Sequence, residues 1–246
     1  MQSNLSKSLS LTASIFNFMK DIKVIGFDAD DTLWSNACFF QEVERKFCEL
    51  LTDFMTKEEL AQELYQTEMK NMEWYGYGAM AFTLSLIETA IRVSNGLVPA
   101  TIISDLLEAG KSILDKPIEL FPGIPDILPE LSDKYRLVVV TKGDLLDQER
   151  KLKRSGLLPF FQHVEVVTEK HESNYHQLID FMNIKPHEFL MIGNSLKSDI
   201  LPVLSIGGKA VHVPFHTEWQ YERTQKPTTP YTELTTLFDL PVILRG

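Results

Sequence analysis

Five short apolar runs rich in β-formers punctuate the chain: Lys23–Phe27, Arg136–Thr141, His163–Val167, Glu188–Ile192 and Lys209–Val213. From the second onward, helix-length segments separate them. Near-continuous apolar runs of this length suit strands of a parallel sheet, because crossover helices bury both faces. One such run alone could equally be a piece of buried helix; the alternation decides for an α/β class. The interval between the first and second runs, about a hundred residues, breaks the rhythm. Within it Phe39, Phe40, Val43, Phe47, Leu50, Leu51 and Phe54 recur at helical spacing. Further helices fit Lys57–Met72, Gly78–Asn95 and Pro99–Leu114, with Pro99 suited to the first turn of the last. Such stripes can bury one another as a helical bundle. The expected organisation is an N-terminal extension (1–20), an α/β domain (21–33 and 119–246) and an inserted all-α domain (34–118) that returns near "ELFPGI" (119–124).

Charge and cysteine usage narrow the setting. A net charge of −10 argues against a nucleic-acid partner held through phosphates. No run reaches the eighteen apolar residues of a membrane span. Cys38 and Cys48 fall on one expected helix, ~15 Å apart along its axis, which is too far for a disulfide and points to a reducing compartment. The first twenty residues have an early lysine and the small pair Ala13-Ser14, as a secretory signal would, but serines and Asn17 interrupt the apolar stretch. They read as an extension, and the protein as cytoplasmic.

Open parallel sheets bind ligands beyond the carboxyl ends of their strands. There, "KVIGFDADDTLW" (23–34) crowds Asp28, Asp30 and Asp31 together. Like charges this close resist ionising, so a cation or a reaction must compensate them. Thr141 ends the second run, Lys170 follows the third, and "GNSLKSD" (193–199) brings Asn194 and Asp199 after the fourth. Singly, each has an ordinary explanation: aspartates in turns and helix caps, or an acid in a first helical turn. Their convergence from four strand ends is what points to chemistry. Other candidates fall away. "GKS" (110–112) has Asp105 where a phosphate-binding loop needs glycine, and it lies in a helical stretch. His171 and His176 are badly spaced for zinc. Lys185 sits in an exposed-looking loop.

With these residues in this order, the chain resembles the phosphatases of the haloacid dehalogenase superfamily, from Asp21 onward. The signatures are "DADDT" for D-x-D-x-T, Thr141 in "VVVTKGD", Lys170 in "VVTEK", and "GNSLKSD". The resemblance implies a Rossmann-like parallel sheet with helices on both faces and an inserted helical cap of the C1 type. It implies Asp28 as nucleophile, forming an aspartyl-phosphate, and Asp30 as general acid and then base. Thr141 would hold a phosphoryl oxygen, and Lys170 would neutralise charge. Mg²⁺ would sit among Asp28, the Asp30 carbonyl and Asp199, with Asn194 as a ligand or as a holder of its water. Many members carry an acid at the position of Asn194. Asp31, where glycine is common, is given a turn role and no catalytic one.

The expected substrate is a small phosphorylated metabolite. Lys142 is a further phosphate contact, although a surface lysine explains it equally well. Tyr75 and Tyr77 in "EWYGYGA" (73–79) are candidates to select the substrate, unless they and Trp74 simply pack within the helices. A phosphomutase would use the same nucleophile. A dehalogenase would not need Asp30. A signalling receiver also uses Asp, Thr and Lys, but carries its phosphorylated Asp after the third strand.

Overall fold

Val24, Ile25 and Phe27 are fully shielded from solvent, as the central strand of a sheet requires. Burial stabilises each such side chain by roughly 1.5–3 kcal/mol. In the computed structural model, which describes residues 19–217 and 219–245, β1 (Val24–Phe27) lies between β2 (Arg136–Lys142) and β4 (Phe189–Gly193). It runs parallel to both, with Val24 opposite Arg136 on one side and Phe189 on the other. β3 (His163–Val167), β5 (Lys209–His212) and β6 (Thr232–Glu233) complete the order β3-β2-β1-β4-β5-β6. The five expected strands are present. β6 was not anticipated: two residues leave no apolar pattern to read. It pairs parallel to β5, His212 opposite Glu233. Nearly all of the expected N-terminal extension, 1–18, lies outside the described residues.

Alternation along β1 sends its side chains to opposite faces. Val24 joins Val138, Val140, Phe189 and Met191 under the helix Glu172–Phe181, which contributes Tyr175, Leu178 and Ile179. On the other side the Phe27 ring meets Phe161 edge-on at 6.1 Å.

The described chain divides into two compact units. One takes the chain up to Ser35, Glu119–Thr141 and Leu152 onward; the other takes Asn36–Ile118 and Lys142–Lys151. In the first, the chain's exit and return run side by side: the Phe121 amide donates to the Leu33 carbonyl at 2.9 Å, and Trp34 bridges Leu120 antiparallel.

The second unit contains α1 (Ala37–Leu50), α2 (Lys57–Tyr75), α3 (Ala79–Val93) and α4 (Ala100–Asp115). Its core joins Val43, Phe47 and Leu51 to Leu60, Leu64, Phe82, Leu86, Leu106 and Ile113. Thr56 starts α2 with a reciprocal cap: its hydroxyl accepts from the Glu59 amide, and the Glu59 carboxylate accepts from the Thr56 amide. α2 runs three residues past its expected end, so Trp74 and Tyr75 belong to its last turn rather than to a loop. Pro99 precedes α4 as its cap residue instead of opening its first turn. Gly110 lies inside α4, where a Cβ would strike the Thr83 side chain. It is there for close helix packing, which disposes of "GKS" as a phosphate loop. Cys38 and Cys48 both lie on α1, and neither is in a disulfide.

Candidate active site

The strand ends bring the acids together within the α/β unit. β1 stops at Phe27, and the Asp28 amide still donates to the Ile192 carbonyl at 2.9 Å, so Asp28 is anchored against β4. The chain then turns: the amides of Thr32 and Leu33 both donate to the Ala29 carbonyl. Asp31 takes a left-handed conformation there, with φ of 61°. That explains an aspartate where glycine is common, because Asp tolerates this region better than most side chains. From this turn the Thr32 hydroxyl reaches back to Asp28 Oδ2 at 3.0 Å.

Lys170, three residues beyond β3, holds the centre. Its Nζ donates to Asp28 Oδ1 at 2.5 Å and to Asp199 Oδ1 at 2.6 Å. All three side chains are almost wholly buried, at 6% exposure for Asp28, 3% for Lys170 and 1% for Asp199. Asp199 lies on a π-helical turn, Leu196–Ile200, that follows β4. Its Oδ2 accepts from the Ser195 amide at 3.0 Å. Gly193 makes room for this carboxylate: a Cβ there would come within 2.2 Å of Oδ2.

Two carboxylates share one ammonium, and the electrostatics follow. Burial pushes the Asp28 carboxyl up to about 7; Lys170 opposes this, while Asp199 and Asp30 add to it. Burial alone would lower the Lys170 ammonium, but Asp199 and Asp28 outweigh it and hold it above its ordinary range. Lys170 therefore stays charged between the two carboxyl groups it bonds.

The remaining expected residues fall in three places. Thr141 is buried near the end of β2, beside β1. Asp30 is half-buried, and its Oδ1 accepts from the Trp34 indole at 2.7 Å. Asn194 Oδ1 stands 3.4 Å from the Thr32 hydroxyl, while its carbonyl faces His212 Nε2 at 3.0 Å. Lys142, Tyr75 and Tyr77 belong to the helical unit. There the Lys142 ammonium lies 4.7 Å from the Tyr77 ring centroid. Trp74 and Tyr75 are 78% and 53% exposed, so neither packs inside the bundle.

Thr32 and Trp34 were not singled out from the sequence. Thr32 stands inside the "DADDT" signature, and only the turn reveals its hydroxyl as a partner of Asp28. Trp34, at the end of the same stretch, had no role assigned to it. Glu222, which accepts from Ser195 and Ser198 around the Asp199 turn, gave no sequence signal.

The oxygen donors suit a hard divalent cation, which takes one or two carboxylates together with carbonyls, amide oxygens and waters. The Asp28 and Asp199 carboxylates, joined through Lys170, and the Asn194 amide oxygen near Thr32 are donors of that kind. Among the described residues no group of three or more His, Cys, Asp or Glu side chains stands together as a metal site.

A family model described as haloacid dehalogenase-like hydrolase matches residues 22–207, and the chain belongs to that family. It is a hydrolase of the phosphatase type. It is 26% identical to a glyceraldehyde 3-phosphate phosphatase of Methanothermobacter thermautotrophicus, over 91% of this chain and 100% of that protein. It is 22% identical to a human N-acylneuraminate-9-phosphatase, over 92% of this chain and 94% of that one. Among solved structures, a haloacid dehalogenase-like family hydrolase from Xanthomonas campestris superposes with a TM-score of 0.82 at 34% identity, covering 92% of this chain and 91% of its own. No described helix is long and apolar enough to cross a membrane.

Proposed function

We propose that the protein is a Mg²⁺-dependent phosphatase that hydrolyses a small phosphorylated metabolite through an aspartyl-phosphate on Asp28. The observation that carries this is the buried Asp28–Lys170–Asp199 cluster at the carboxyl ends of the strands. Asp28 is the nucleophile: it attacks phosphorus as the bond to the leaving oxygen breaks. The Thr32 hydroxyl on Oδ2 and the Lys170 ammonium on Oδ1 fix its orientation. Asp30 delivers a proton to the leaving oxygen, then takes one from the water that attacks the phospho-aspartate, releasing inorganic phosphate and regenerating Asp28. Thr141 donates to a phosphoryl oxygen, and Lys170 offsets charge on Asp28 and the transferring group. Asp28, Asp199, the Asp30 carbonyl and Asn194 would hold Mg²⁺, which when bound neutralises phosphoryl charge. Asp30 speaks against dehalogenation, since a departing halide needs no proton.

The relatives put glyceraldehyde 3-phosphate and N-acylneuraminate 9-phosphate at the head of a substrate panel. Phosphate release with Mg²⁺ across phosphorylated metabolites tests the reading, with Asp28→Asn alongside. The expected result is hydrolysis of at least one compound, lost by several orders of magnitude in the variant. Activity within tenfold of wild type in Asp28→Asn would remove Asp28 as nucleophile.

A further inference from the structure

Residues 219–223 lie beyond the part of the chain that the family model matches, yet they grip both loops that complete the charged cluster. From the 3-10 turn Gln220–Glu222, Glu222 Oε2 accepts from the Ser195 hydroxyl at 2.5 Å and from the Ser198 hydroxyl at 2.6 Å. Both serines are buried; Ser195 caps the turn that carries Asp199, and Ser198 lies within it. Ser195 holds the turn to itself, since its hydroxyl accepts from the Ser198 amide and its amide donates to Asp199 Oδ2. One residue earlier, the Tyr221 hydroxyl donates to Glu169 at 2.8 Å, directly beside Lys170. Lys197 closes the arrangement: its ammonium donates to the Tyr221 carbonyl at 2.9 Å and lies 3.3 Å from the ring centroid.

We propose that Tyr221 and Glu222 are positioning residues. They tie the Lys170 loop to the Asp199 turn and keep Lys170 between the two aspartates. The physical case rests on bond type and location. A carboxylate accepting two hydroxyl protons makes charge-assisted bonds, stronger than neutral ones, and these are partly shielded from water. The Lys170 loop and the Asp199 turn follow different strands, so the distances from Lys170 to Asp28 and Asp199 depend on how the two loops stand to each other. Two adjacent residues whose side-chain hydrogen bonds reach one loop each, with Lys197 of the Asp199 turn also on the Tyr221 carbonyl, convert that dependence into a fixed spacing. Neither residue touches the reacting atoms; both act through Glu169, Ser195 and Ser198. As a catalytic device the pair rests on the phosphatase reading above, whereas its grip on the loops does not.

The experiment compares Glu222→Ala, Glu222→Gln and Tyr221→Phe in the full chain, with two readouts. The first is amide hydrogen exchange of metal-free protein, followed on peptides covering 168–171 and 194–200. Glu222→Ala should speed exchange in 194–200 by about tenfold, the worth of a lost charged hydrogen bond. Glu222→Gln, whose amide oxygen still accepts both hydroxyls, should restore most of the protection. Tyr221→Phe should loosen 168–171 and spare 194–200. The second readout is kcat against KM with saturating Mg²⁺, on the best substrate of the panel. Glu222→Ala should lower kcat about tenfold with KM little changed, and Glu222→Gln should recover most of it. Unchanged exchange in 194–200 for Glu222→Ala overturns the grip. Faster exchange with kcat intact overturns the positioning role. A wild-type protein that hydrolyses no phosphoester overturns the phosphatase reading and with it the catalytic use of the pair, and the exchange readout then still decides the grip.

Discussion

The Trp34 indole donates to Asp30 Oδ1 at 2.7 Å from a fully buried position. An indole N–H can only donate, so Oδ1 is an acceptor whether Asp30 is charged or neutral. That leaves Oδ2 to carry the proton that Asp30 hands over in the proposed chemistry. Trp34→Phe keeps the bulk and removes the donor. It should slow hydrolysis of an alkyl phosphate by about tenfold, the worth of one hydrogen bond to a charged group. It should slow p-nitrophenyl phosphate much less, because that leaving group departs without a proton. Equal losses on both substrates would show that Trp34 only supports the fold.

A second expectation concerns pH. Asp28 has a pKa of about 7 in the folded protein, above the 3.8 of an unfolded chain. The folded state therefore binds the proton more tightly, and ionising Asp28 costs stability that mounts from about pH 4 and is complete above about pH 7. In metal-free buffer Asp28→Asn should thus stabilise the protein more at pH 8 than at pH 5. The lost contact with Lys170 takes back part of the gain, leaving a difference on the order of 2 kcal/mol, roughly 4–8 °C in Tm. Thermal unfolding at the two pH values measures it. A variant less stable than wild type at pH 8 would mean that the ion pair with Lys170 outweighs burial.

Asn194 is uncharged where the fourth signature often carries an acid. With Oδ1 3.4 Å from the Thr32 hydroxyl, it stands one residue away from Asp28. Asn194→Asp adds a negative charge to the proposed cation set and should tighten Mg²⁺ about tenfold once screening and repulsion from Asp28 are allowed for. Asp199→Asn should weaken it. Mg²⁺ titrations by calorimetry and by activity at saturating substrate check both. Unchanged or weaker binding by Asn194→Asp would remove Asn194 from the cation's surroundings.

The Tyr77 ring under the Lys142 ammonium leads to a fourth experiment. A cation–π pair at such a site contributes about 0.5–1 kcal/mol, too little to decide whether the helical unit folds. If the two tyrosines select the substrate, as the family resemblance implies, Tyr77→Ala and Tyr75→Ala should alter relative kcat/KM across the substrate panel more than Tm. A fall in Tm with an unchanged substrate profile would make both tyrosines structural.

The strands were legible because β-rich apolar runs separated by helix-length spacers admit few arrangements, and the acids because they stand at strand ends. What the sequence withheld depends on distance in space. Thr32 declares itself only when the turn at Asp31 brings its hydroxyl under Asp28. Trp34 passes for core until its indole is found on Asp30. Glu222 is 23 residues beyond Asp199 along the chain, in a segment without pattern, and its partners are serines of the kind that cap any turn. β6 was missed for the same reason, being two residues held in place by β5.

The central place of β1 also carries a consequence for biosynthesis. β1 leaves the ribosome before the other strands, yet its neighbours β2 and β4 are each encoded more than a hundred residues later. Until they emerge, an apolar strand followed by three aspartates has nothing to pair with. The four helices translated in between have a core of their own, and helical contacts close at short loop cost. The order of translation therefore favours the helical unit maturing first, while the nascent β1 waits unpaired. The charged cluster of Asp28, Lys170 and Asp199 assembles last, because Lys170 and Asp199 emerge only after β3 and β4.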